Sequence, residues 1–125
     1  MKATQENFDA LCNEFRECQK LFAALGDEVR QQIIAIMMAG ECSGTRAVDI
    51  AEKTSLSRPA ISHHLQILKD AGIVSSRKEG TCIYYYLDPN AEAMHRLEQL
   101  ARDAASFMEG VPDRSCVAGR GKKQK

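Results

Sequence analysis

Residues 57–72, SRPAISHHLQILKDAG, constrain the chain more tightly than any other stretch. At about 100° of rotation per residue, a helix through them gathers Ile61, Leu65 and Leu68 on one side and Pro59, Ser62, His63, Gln66 and Lys69 on the other. The first group is a core stripe. The second is a surface of hydrogen-bonding side chains that folding alone does not require. Local chemistry also predicts the ends of this helix. Ser57 is suited to be its N-cap, Arg58 and Pro59 fall in the first turn, where a proline loses no hydrogen bond, and Gly72 is a C-terminal glycine.

The flanking segments complete a motif. A short helix is expected over AVDIAEK, followed by the turn Thr54-Ser55-Leu56. Beyond Gly72, IVSSRK and TCIYYYL are two β-rich runs separated by Glu79-Gly80, which predicts a tight hairpin even though Glu is a poor first residue for such a turn. Two helices joined by a three-residue turn, then a hairpin with basic residues near its tip, make a winged helix-turn-helix. Upstream, Gly26 and Asp27 end one helix and cap the next, VRQQIIAIMMAG, which stops at Gly40; ECSGTR reads as a loop. The expected fold class is mainly α (α+β).

Long helices are expected at both ends, over roughly 4–25 and 89–109. Phe8, Leu11, Phe15, Cys18, Phe22 and Leu25 advance by alternating steps of three and four, and Met94, Leu97, Ala101, Ala104 and Met108 repeat the alternation. Such a narrow seam suits pairing with another helix, so these two elements are the expected dimer interface, although both stripes would also serve to cover one monomer's core. The expected domain spans 1–111. Residues 112–125, PDRSCVAGRGKKQK, lack periodicity and are expected to be a disordered basic tail.

Formal charge sums to zero over the chain, yet residues 53–78 hold five basic side chains against Asp70 alone, a local net of +4. That segment contains the candidate contacts to double-stranded DNA: Ser57, Arg58, Pro59, Ser62, His63, Gln66 and Lys69 from the helix, and Arg77 and Lys78 from the hairpin. Side chains of Ser, His, Gln and Arg can bond base edges, while Lys69 can reach a phosphate. His64 lies one 100° step from His63 and is expected to point toward the first helix of the motif as a packed, hydrogen-bonded residue. Strand alternation sends Tyr85 to the face opposite Tyr84 and Tyr86, which explains the aromatic run by sheet packing.

No apolar run approaches the roughly 20 residues of a bilayer span, and the first residues lack the apolar core of a signal peptide, so a cytoplasmic protein without a membrane partner is expected. The five cysteines are scattered without a C-x-x-C pair, which implies reduced thiols. Cys18 and Cys82 are expected to be packing residues; Cys42 and Cys116 are the better redox candidates. No nucleophile stands beside a base at a local spacing, so the chain is not expected to be an enzyme.

Taken together, LFAALGDEVRQQIIAIM, DIAEKTSLSRPAISHHLQILKDAGIVSSRKEG and YYYLDP resemble, in order and spacing, the ArsR/SmtB-type family of small bacterial transcriptional repressors over residues 15–109. The resemblance implies a homodimer that occupies a near-palindromic operator, with Arg58, Ser62 and His63 facing bases and an effector that changes DNA affinity. It also implies what the effector site lacks. Thiophilic-metal sensors of the family carry a C-x-C pair just ahead of the first helix of the motif, where this chain has Thr45-Arg46-Ala47-Val48. The zinc-type ligand set reduces to Glu92 and His95. A metal, a redox signal or a small molecule all stay open, and no cofactor is assigned. The competing function is a winged-helix protein-interaction module that uses the same outer face without specific DNA binding.

Overall fold

The computed structural model describes residues 5–41 and 43–110. These form α1 (Gln5–Glu17), α2 (Gln19–Leu25), α3 (Glu28–Ala39), α4 (Ala47–Glu52), α5 (Arg58–Asp70), β1 (Val74–Glu79), β2 (Cys82–Leu87) and α6 (Glu92–Glu109). With β1 and β2 paired antiparallel, this is the mainly helical winged helix-turn-helix expected from the sequence. Two compact units are distinguished, residues 17–97 and a second formed from 5–16 and 98–110.

The 17–97 unit is organised around α5. Ile61, Leu65 and Leu68 are completely buried, together with Ile33 of α3 and Ile50 of α4. Each such side chain stabilises the fold by about 1.5–3 kcal/mol relative to exposure. The helix ends are chemically specified. Ser57 Oγ accepts the Ala60 N–H at 3.3 Å. At the other end Gly72 takes φ +84°, its N–H reaches the Lys69 carbonyl at 3.0 Å, and the Ile73 N–H reaches that of Leu68 at 3.0 Å. This pair of bonds is a Schellman closure, and it needs the left-handed residue that Gly72 provides.

Asp27 caps α3, accepting the N–H groups of Val29 at 2.8 Å and Arg30 at 3.1 Å. In the wing, Glu79 pairs with Cys82, so the turn residues are Gly80 and Thr81, one position later than expected. Gly80 has φ +63°, in keeping with the glycine that a type II′ turn takes at its first central position. Glu79 thereby becomes the last paired residue, and its poor turn propensity ceases to matter. The segment expected to be loop also joins the sheet: Thr45 and Tyr85 exchange two backbone hydrogen bonds of 2.8 Å each.

Two helix boundaries differ from expectation. The helix expected over 4–25 is interrupted at Cys18, whose φ and ψ are −97° and 6°. The heptad seam does not continue through the break: Cys18, Leu21 and Ala24 are buried while Phe22 stays exposed. The last helix starts at Glu92 rather than 89. Asp88 accepts the Asn90 N–H at 2.9 Å, and Ala91 sits at φ +51°, so Asp88-Pro89 opens a turn that precedes the helix.

In the other unit the rings of Phe8 and Phe107 lie 6.4 Å apart. Helix α1 buries none of its residues. No helix among the described residues is long and apolar enough to cross a membrane. Cys42, Cys116 and the expected tail 112–125 lie outside the described residues.

Candidate functional site

The seven α5 candidates share one accessible surface. Ser57, Arg58, Pro59, Ser62, His63, Gln66 and Lys69 are all exposed, opposite the buried Ile61, Leu65 and Leu68. Their surroundings differ. Gln66 Nε2 donates to Asp70 Oδ1 at 2.9 Å, and Lys69 Nζ donates to Ser76 Oγ at 2.9 Å, which ties the end of α5 to β1. Arg58 has no side-chain hydrogen bond or ion pair among the described residues.

His64, adjacent in sequence to His63, turns inward. Its Nδ1 accepts from Arg30 Nη1 at 3.2 Å, so the hydrogen-bonded structural residue expected from helix geometry is present, but its partner belongs to α3 and not to α4. Arginine cannot accept, which requires the His64 proton to reside on Nε2. Arg30 also donates Nε to the Ala24 carbonyl at 2.8 Å and Nη2 to that of Ala23 at 3.0 Å. One guanidinium thus joins the end of α2 to the inner side of α5. The Arg30 N–H holds the Asp27 carboxyl below its ordinary value, with burial opposing and the Arg30 charge assisting.

On the wing the two basic candidates part company. Lys78 is exposed. Arg77 folds back along the sheet, with its guanidinium carbon 5.0 Å from the centre of the Tyr84 ring, Nε donating to Glu79 at 2.6 Å, and Nη1 donating to the Ser43 carbonyl. Gly44, at φ +124°, lets the backbone pass here; a Cβ at that position would lie 3.0 Å from the Tyr84 Cβ. Tyr85 packs against the core cluster from the opposite face, as strand alternation requires.

Sequence reasoning missed Arg46. It precedes α4, and its Nε and Nη2 grip both oxygens of Asp49 at 3.1 and 3.3 Å. The signal was an oppositely charged pair three residues apart at a helix start. That bond, foremost, raises the guanidinium above its ordinary value and lowers the Asp49 carboxyl below its own. Arg46, Arg58, Ser62, Thr81 and Cys82 line a cleft of about 260 Å³ between the start of α4, the first turns of α5 and the wing. Cys82, expected to be ordinary strand packing, is half-buried at this cleft.

The metal candidates are not drawn together into a larger set. Glu92 accepts from Arg96 at 3.3 Å, His95 is exposed, and no group of three or more His, Cys, Asp or Glu side chains converges among the described residues.

Residues 27–76 match the family model described as bacterial regulatory protein, arsR family. The transcriptional repressor SdpR of Bacillus subtilis is 41% identical over 68 residues, which cover 54% of this chain and 72% of the repressor. An ArsR-like transcriptional regulator from Rhodococcus has a similar structure, with a TM-score of 0.66 at 31% identity over 78% of this chain and 86% of its own. A homodimeric winged helix-turn-helix DNA-binding domain from Mycobacterium bovis, a possible ArsR-family regulator, has a TM-score of 0.54 at 26% identity over 90% of this chain and all of its own, 100%. The length of SdpR matched, the identity along it and the winged fold together establish that the chain belongs to the arsR family of bacterial regulatory proteins.

Proposed function

We propose that the protein is a homodimeric, sequence-specific repressor that occupies operator DNA in the cytoplasm and is released or modulated by an effector. The observation that carries this reading is the division of α5 into a fully buried apolar stripe and a continuous exposed polar face. Ser62 and His63 are proposed to meet base edges in a major groove, and Arg58, expected to face bases with them, to reach the backbone at the groove's edge. Ser57, Gln66 and Lys69 position the helix against backbone, Pro59 shapes its first turn, and Lys78 reaches a phosphate from the wing. Arg77 is proposed to brace the wing that carries Lys78.

Dimerisation through the terminal helices is supported by the apolar rings left accessible on α1: Phe8 is 49% and Phe15 46% exposed. Two-fold symmetry then sets the recognition helices about 34 Å apart, one turn of duplex. An effector acts by preferring a dimer in which that spacing is lost, since a ligand shifts an equilibrium only by its differential affinity for the two states.

The test is fluorescence anisotropy with a labelled duplex selected by the protein from a random library, run across a salt series. A repressor gives affinity that falls steeply with salt as phosphate counterions are released. Absent binding, or affinity indifferent to salt, rejects this reading and leaves the face to a protein partner.

A further inference from the structure

We infer that the cleft between α4, α5 and the wing is a seat for a DNA backbone phosphate, held between Arg46 and Arg58. The inference rests on the DNA-binding reading and adds to it a residue outside the recognition helix. Three observations lead to it. The backbone leading into Arg46 is pinned, because the preceding residue, Thr45, exchanges two hydrogen bonds with Tyr85 of β2. The side chain is pinned as well, by both carboxylate oxygens of Asp49 from α4. Across the cleft, Arg58 carries a charge with no side-chain partner among the described residues.

Two cations from different elements therefore converge on one concavity, and Ser62 adds a hydroxyl to its wall. A guanidinium presents five N–H donors in a planar fork, and Asp49 takes two of them. The remaining donors match an oxyanion with several acceptor oxygens. Ser62 is also on the outer face of α5, so a duplex that receives α5 in its groove runs its bordering strand past this cleft. That strand presents phosphates, not bases, to whatever lies beside the helix. Asp49 is 40% exposed beside the same guanidinium, and it acts as the competing anion that a bound phosphate must share Arg46 with.

The experiment compares the full-length protein with Arg46→Gln and Asp49→Asn on an in-vitro selected duplex and on a scrambled duplex of equal length. Arg46→Gln is expected to weaken both complexes by the same factor and to reduce the slope of log affinity against log salt by about 0.9 per bound chain. Asp49→Asn, which keeps an oxygen for Arg46 while removing the competing charge, is expected to tighten both. As a measurement independent of variants, bound duplex should slow alkylation of Cys82 by iodoacetamide several-fold, resolved by mass spectrometry. An unchanged slope in Arg46→Gln, a loss confined to the selected duplex, an Asp49→Asn loss equal to that of Arg46→Gln, or undiminished alkylation of Cys82 overturns the phosphate seat while the repressor reading stands. Salt-indifferent binding by the unmodified protein removes both.

Discussion

Arg30 Nη1 donates to His64 Nδ1 across 3.2 Å and 34 positions of sequence, and the same guanidinium holds the carbonyls of Ala23 and Ala24. The recognition helix is therefore fixed from behind by a charged group that also closes α2. Arg30→Met strips donors from two carbonyls and one imidazole, and is expected to destabilise the fold by about 1–3 kcal/mol in urea unfolding. A double-mutant cycle with His64→Leu should return a coupling of about 0.5–3 kcal/mol. Additive losses would mean that the Arg30–His64 contact is incidental.

The two faces of α5 separate binding from stability. His63→Ala is expected to weaken binding to a selected duplex by about 1–3 kcal/mol and leave binding to a scrambled one intact. Leu65→Ala, two positions along and completely buried, is expected to lower unfolding free energy by about 2–5 kcal/mol. If His63→Ala unfolds as readily as Leu65→Ala, then His63 is a structural residue.

Neighbouring residues on the wing should behave differently for the same reason. Lys78 is exposed, and Lys78→Ala is expected to lower the salt slope by about 1 and to weaken specific and nonspecific complexes alike. Arg77 stacks on Tyr84 and donates to Ser43 and Glu79, so Arg77→Ala should leave the slope unchanged and reduce stability by about 1 kcal/mol. A smaller salt slope in Arg77→Ala would return this residue to the phosphate contacts.

What could be read from the sequence was what neighbouring residues decide among themselves. The stripe Ile61, Leu65, Leu68, the cap at Ser57 and the closing Gly72 each depend on steps of no more than about five residues along the chain, and each stands as expected. The shifted wing turn was a near miss, since Gly80 was recognised but its place within the turn depends on cross-strand register. The break at Cys18 was hidden because one apolar alternation runs through both α1 and α2. Partnerships that close over long separations left no local trace: Thr45 with Tyr85, Arg77 with Ser43, and His64 with Arg30 where α4 was the expected neighbour.

Acid should act on the carboxylates at the starts of α3 and α4. The Arg30 N–H holds the Asp27 carboxyl below 3.8, and the Arg46 side chain does the same for Asp49. A carboxyl more acidic in the folded than in the unfolded chain stabilises the fold at pH above 3.8, and that stabilisation disappears as pH falls through the lower, folded value. The midpoint of thermal unfolding is therefore expected to drop below that pH, and to drop less in Asp27→Asn, where asparagine still caps the helix but cannot be protonated in this range. Parallel curves for the two proteins would remove Asp27 from the account.

The accessible rings of α1 lead to a test of assembly that leaves the DNA-facing residues untouched. Phe15 is 46% exposed on a helix that buries none of its own residues, so Phe15→Glu removes apolar surface from the proposed interface without opening a hole in a core. Sedimentation should find the unmodified protein as a dimer and the variant as a monomer at the same micromolar concentration. Two half-sites engaged by one dimer bind with an effective concentration that separate subunits lack, so the variant's affinity for a two-half-site duplex is expected to fall by about 100-fold or more, and its affinity for a single half-site far less. A variant that still sediments as a dimer would place the interface elsewhere. An unmodified protein that sediments as a monomer would end the symmetric-repressor reading, because a lone recognition helix has no partner to set the spacing of the second groove.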